Sequence, residues 1–109
     1  MLAKYILQAI SHSKICHLIL DENNKDALSE VNQRIRKWQF QNGVILQCLE
    51  ETELNIAECD SQCPEHWIIW EVIKTNGEPI LPVRKEFFSL CQQKFWLKMQ
   101  LSEDTLIKY

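Results

Sequence analysis

The stretch HWIIWEVIKTNGE, residues 66–78, sets the fold class. Its first eight residues are rich in aromatic and β-branched side chains, which favour a strand. Strict alternation puts Trp67, Ile69, Glu71 and Ile73 on one side and Ile68, Trp70 and Val72 on the other. Both sides are mostly apolar, so each needs cover from helices or from a partner chain. The Asn76-Gly77 pair that follows is a strong short-range hairpin signal. A return strand is expected over PILPV (79–83), short and at an edge because Pro79 and Pro82 cannot donate to a ladder.

Upstream, VILQCLE (44–50) and LNIAEC (54–59) read as two further strands joined across ETE (51–53). Before them Leu28, Val31, Ile35 and Trp38 line a narrow helical stripe that ends at Gly43. DENNKD (21–26) reads as the preceding turn, with Asn24 or Asp26 as N-cap, and ICHLIL (15–20) as a short strand. Leu2, Tyr5, Ile6, Ala9 and Ile10 recur at helical spacing, which predicts an N-terminal helix ending near residue 13.

Downstream, residues 84–99 predict a helix whose apolar face is Phe87, Phe88, Cys91, Phe95 and Met99, with Ser102 capping a last turn. Trp96 then stands alone on the polar side, either exposed or packed beneath the final nine residues. The expected order is α-β-α-β-β-β-β-α. That is an α+β class, a mostly antiparallel sheet of four to five short strands packed against two to three helices. At 109 residues with two glycines and three prolines, the chain has room for one domain over residues 1–109 and none for a linker.

Gln8, Ser11, His12 and Ser13 interrupt the N-terminal apolar run, so neither a secretory signal nor a membrane span is expected, and the chain reads as cytoplasmic. Five cysteines (16, 48, 59, 63 and 91) are an odd number, which in that setting predicts reduced, buried thiols rather than a disulfide framework. Cys59, Cys63 and His66 form C-x3-C-x2-H, three candidate zinc ligands in a polar turn. A second short-spaced pair of ligands and a knuckle glycine are both missing there. Zinc is therefore the alternative reading, and no cofactor is the preferred one.

Nucleophilic catalysis would need a thiol or hydroxyl beside an oriented base. Cys63 with His66 and Glu65 or Asp60 could be drawn so, but no G-x-S-x-G, P-loop or dinucleotide fingerprint is present, and the reading is not an enzyme. Charge is more informative. Between Lys37 and Lys74 there is no lysine or arginine, yet Glu50, Glu51, Glu53, Glu58, Asp60, Glu65 and Glu71 fall there. A nucleic-acid surface would have to use Arg34, Arg36 and Lys37, or Arg84, Lys85, Lys94 and Lys98. The acidic balance and the place of Trp38 in an apolar stripe argue against it.

The preferred expectation is a small cytoplasmic regulator that binds a protein, of the accessory or inhibitor type (immunity- or antitoxin-like). Its contact surface would comprise Glu50, Glu51, Glu53, Glu58, Asp60, Glu65, Trp67 and Trp96, facing a basic protein partner or a second copy in a homodimer, with no membrane involved.

Overall fold

Residues 66–74 are indeed a strand, and an antiparallel sheet is built around it. The structure, a computed structural model, describes residues 1–26, 31–53 and 66–107. Over these the order is α1 (Leu2–Ile10), β1 (Cys16–Asp26), β2 (Val31–Phe40), β3 (Ile45–Glu53), β4 (His66–Lys74), β5 (Arg84–Phe87) and α2 (Leu90–Ile107). The strands form one sheet in sequence order, β1-β2-β3-β4-β5, with every pairing antiparallel. The α+β class is as expected.

The second helix is not. Residues 31–40 are strand β2, paired with β1 on one side and β3 on the other. The stripe Val31, Ile35, Trp38 satisfies a helical spacing, but Trp38 and Phe40 also satisfy the strand period of two, and both are buried. Gly43 is compatible with both structures because one backbone state serves each of them. At φ 89° it is left-handed, as a helix-terminating glycine would be, but here it closes a three-residue hairpin. The Phe40 N–H donates to the Val44 carbonyl (2.8 Å), and the Gly43 N–H donates to that of Phe40 (2.9 Å). The DENNKD segment, expected as a turn, is the second half of β1. The strand expected over LNIAEC lies outside the described residues.

The Asn76-Gly77 turn forms with both residues left-handed, at φ 51° and 83°. Its return strand starts later than expected: PILPV is irregular, and β5 begins at Arg84, after the last proline. The Val72 N–H reaches the Val83 carbonyl (2.8 Å) to open the pairing. Helix α2 accordingly starts at Leu90 and not at 84, and it runs through Ser102 to Ile107. Ser89 caps it: the Gln92 N–H donates to Ser89 Oγ (3.1 Å), and Gln92 Oε1 accepts from the Phe88 N–H (2.7 Å).

With Phe87 in β5 and Phe88 ahead of the helix, the expected apolar face loses its first two members, and α2 docks through another face. The α2 side chains facing the sheet are Gln93, Trp96 and Leu97. Phe95 is 65% exposed, and Phe88, Leu90 and Met99 are exposed with it. Gln93 is buried because its Oε1 accepts the Trp70 indole N–H at 2.7 Å. Both helices lie on the same face of the sheet. Leu2, Ala3, Ile6 and Ala9 of α1 and Leu97 of α2 share one core with Trp38, Phe40, Leu46, Cys48, Ile68, Trp70, Val72 and Phe87. Trp38 and Trp70 stack at its centre, 5.5 Å between centroids.

Replacing Gln93 by Leu leaves a buried indole N–H without an acceptor, a loss of about 1–3 kcal/mol. Chemical denaturation should show that loss in Gln93→Leu, and Gln93→Glu, which retains an acceptor, should be affected less.

Candidate functional site

Each strand sends alternate residues to opposite faces, and the register fixes which residues share a face. The helix-side face is apolar only where the helices lie. Beyond them it carries Asp21 and Asn23 of β1, Asn32, Arg34 and Arg36 of β2, Glu50 and Thr52 of β3, and His66 of β4. Among these side chains are two ion-pair groups, Asp21 with Arg34, and Arg36 with Glu50 and His66. Arg36 donates to Glu50 Oε1 at 2.6 Å, and Arg34 donates through both Nε and Nη2 to the Asp21 carboxylate, at 3.0 and 2.9 Å. Arg34 holds the Asp21 carboxyl below its usual range, chiefly through that hydrogen bond. His66 Nε2 stands 3.7 Å from Glu50 Oε2. The Arg36 guanidinium also lies 5.1 Å from the centroid of the Trp38 ring. Buried Arg36 Nε, His66 Nε2 and Asn32 Oδ1 have no hydrogen-bond partner.

Cys48 sits at the junction of the core and this network. Burial, and then the negative charge of Glu50, push its thiol up to about 12. Such a thiol is a packing group and not a nucleophile. Cys16 is also a free thiol, raised by burial. Cys91 is disulfide-bonded, which corrects the expectation that all five cysteines are reduced.

The opposite face has no helix over it among the described residues. Its middle row is Glu22–Ile35–Leu49–Ile69–Glu86, one residue from each strand in order. On one side runs Leu20–Lys37–Gln47–Glu71–Arg84, and on the other Asn24–Gln33–Glu51–Trp67. Trp67 is 45% exposed and meets Phe88 edge to face at 4.6 Å, which makes an aromatic corner. Gln33 Nε2 donates to Glu51 Oε1 at 3.0 Å. Arg84 pairs with Glu86, whereas Lys37 and Glu71 enter no ion pair among the described residues.

The expected contact residues are thus divided. Glu51 and Trp67 are register neighbours on the open face. Glu50 points to the other face and is engaged by Arg36. Trp96 is on the helix side, partly buried and packed against the core, with its ring centroid 5.5 Å from that of Phe87. Glu53 ends β3, while Glu58, Asp60 and Glu65 lie outside the described residues, as do Cys59 and Cys63. His66, the remaining residue of the C-x3-C-x2-H motif, faces Glu50. Among the described residues no group of three or more His, Cys, Asp or Glu could hold a metal ion, and no helix is long and apolar enough to cross a membrane.

A groove of about 400 Å³ lies between α1 and the β2–β3 turn, lined by Tyr5, Gln8, Ile15, Phe40 and Asn42. Its polar groups engage each other: Asn42 Nδ2 donates to Tyr5 Oη (3.0 Å), and Asn42 Oδ1 accepts from the Val44 N–H (3.1 Å).

Two outcomes follow for the network. Glu50→Ala leaves Arg36 largely desolvated without its carboxylate, so it should lower the unfolding free energy by about 1–3 kcal/mol, below the range for fully buried pairs. Denaturant titration checks this, and the double replacement Arg36→Leu with Glu50→Leu should recover much of the loss. Cys48 should resist iodoacetamide at about pH 9 in the native protein and react on unfolding, as followed by mass spectrometry.

No family model matches the chain, and neither a curated protein nor a solved structure matches it.

Proposed function

We propose that the chain acts without catalysis, as a binding protein whose working surface is the open face of the sheet. One observation carries this reading. The apolar row Ile35–Leu49–Ile69 runs across three adjacent strands, with the Trp67–Phe88 corner beside it, on a face that neither helix covers. Contiguous apolar surface rimmed by polar groups marks an interaction site. Aromatic anchors at the edge of such a patch are typical of protein contacts.

The charges favour a protein over a nucleic acid. Glu22, Glu51, Glu71 and Glu86 outnumber Lys37 and Arg84 on this face, so phosphates are repelled from it. The basic residues of β2 that would otherwise invite a nucleic-acid reading, Arg34 and Arg36, sit on the other face in ion pairs. A regulator or inhibitor that works by occupying a partner's surface needs no more than this. In that reading Trp67 and Glu51 remain contact residues, while Glu50 and Trp96 belong to the scaffold.

A photoreactive benzophenone side chain at Gln47, on the open face, should form adducts of protein mass in cells, and one at exposed Lys98 of α2 should not. Leu49→Asp should abolish the adducts while the far-ultraviolet circular dichroism stays unchanged. No adduct at Gln47, or equal adducts at both positions, would refute the reading.

A further inference from the structure

We infer that the open sheet face is the interface of a homodimer, in which a second copy packs face to face about a two-fold axis parallel to β3. This rests on the reading of that face as a protein contact surface and names its occupant.

The case comes from register. An axis along β3 lays β2 over the partner's β4 and β3 over its own copy, and it keeps residues at equal height along the strands together. Ile35 then meets the partner's Ile69, Leu49 meets the partner's Leu49, and Gln33 meets the partner's Trp67. Lys37 meets the partner's Glu71, and symmetry makes that pair twice. Neither of these two charges enters an ion pair among the described residues of its own chain. They lie one strand to either side of β3, at the same height and with opposite sign, which is what a two-fold along that strand requires.

The alternative axis, across the strands, fits worse. It would place Glu71 over the partner's Trp67 and Lys37 over the partner's Gln33, so neither charge would gain a counter-charge. The aligned arrangement is also the ordinary geometry of two sheets packed through apolar inner faces. Its like-charged contacts are Glu51 with its own copy and Glu22 with the partner's Glu86. Glu51 is drawn sideways to Gln33, and Glu22 and Glu86 lie on the outer strands.

Five strands at about 4.8 Å spacing and about six residues of strand give a face of roughly 24 by 20 Å. That projected area is below the ~800 Å² per partner of a standard interface, so the dimer should be concentration-dependent, with dissociation in the micromolar range.

Sedimentation equilibrium of the full chain tests this. The wild type should reach twice the chain's mass at about 100 μM. Lys37→Glu and Glu71→Lys should each weaken association at least about ten-fold, because each places like charges together at both symmetry-related contacts. An equimolar mixture of these two variants should dimerise again, since every contact in the mixed dimer is then opposite in sign. Glu71→Gln, which adds no charge opposite Arg84, should give an intermediate loss with unchanged circular dichroism. A wild type that stays monomeric, or a mixture no tighter than its components, overturns the inference. If a monomeric wild type still yields adducts from Gln47 with another protein, only the homodimer falls. If it yields none, the contact surface falls with it.

Discussion

The indole of Trp70 is the constraint on which the rest depends. A side chain of that size gains most by full burial, but its N–H cannot be buried without an acceptor. Gln93 supplies the acceptor from α2, and the stacked ring of Trp38 fills the space beside it. Together these contacts fix the rotation of α2, dock that helix on the Trp70 side of the sheet and seat Trp96 against Phe87. Because β4 alternates strictly, choosing the Trp70 side for the core consigns Trp67, Ile69 and Glu71 to the other face. With α1 packed on the same side, the open face and its apolar row follow from one buried hydrogen bond and one stacked pair.

The same period of two explains why an acidic run in the sequence is not an acidic patch in space. Glu50 and Glu51 are neighbours in the chain, yet they project from opposite faces of β3. Glu50 joins the helix-side network and is neutralised by Arg36, while Glu51 stands beside Trp67 and bonds to Gln33. The helix-side network also shows how the sheet ends its core. Past the reach of the helices, Arg36 covers the Trp38 ring with its guanidinium and meets Glu50 with the same group. The transition from tryptophan to charge therefore needs no exposed apolar step.

How far the sequence was legible varies by element. The alternation of β4 and the Asn76-Gly77 turn declared themselves, because period and turn chemistry are local properties. Residues 31–40 did not, since Val31, Ile35 and Trp38 satisfy helical spacing while Trp38 and Phe40 satisfy strand spacing. Only pairing with β1 and β3 decides between them, and pairing is not local. The face of α2 was hidden for a different reason. Gln93 reads as polar, and its burial depends on a tryptophan 23 residues earlier in the chain. One missed signal was available: SLCQ (89–92) has the S-x-x-Q spacing of a capping box, and it places the helix start where the structure has it. Phe87 and Phe88 then leave the helix, and the docked side is the one that carries Gln93, Trp96 and Leu97, with Phe95 exposed. Of the site, Trp67 and Glu51 were visible as residues, but Ile35 and Leu49 joined them only once β2 was a strand.

Charge on this protein is sorted across the sheet rather than along the chain. The sequence is acidic in its middle and basic toward its ends, which suggests poles at opposite ends of a molecule. Folding β2 beside β3 erases that division by laying Arg34, Arg36 and Lys37 next to the acidic strand. Alternation then separates the charges again, this time by face. Arg34 and Arg36 find Asp21 and Glu50 on the helix side and leave that face internally compensated. Lys37 goes to the open side, where it has no acid among the described residues of its own chain, and Glu71 stands equally unmatched two strands away. The open face thus carries an apolar centre flanked by Lys37 on one side and Glu71 on the other, among its other charges. In the proposed homodimer, a second copy turned about β3 would present an acid to Lys37 and a base to Glu71.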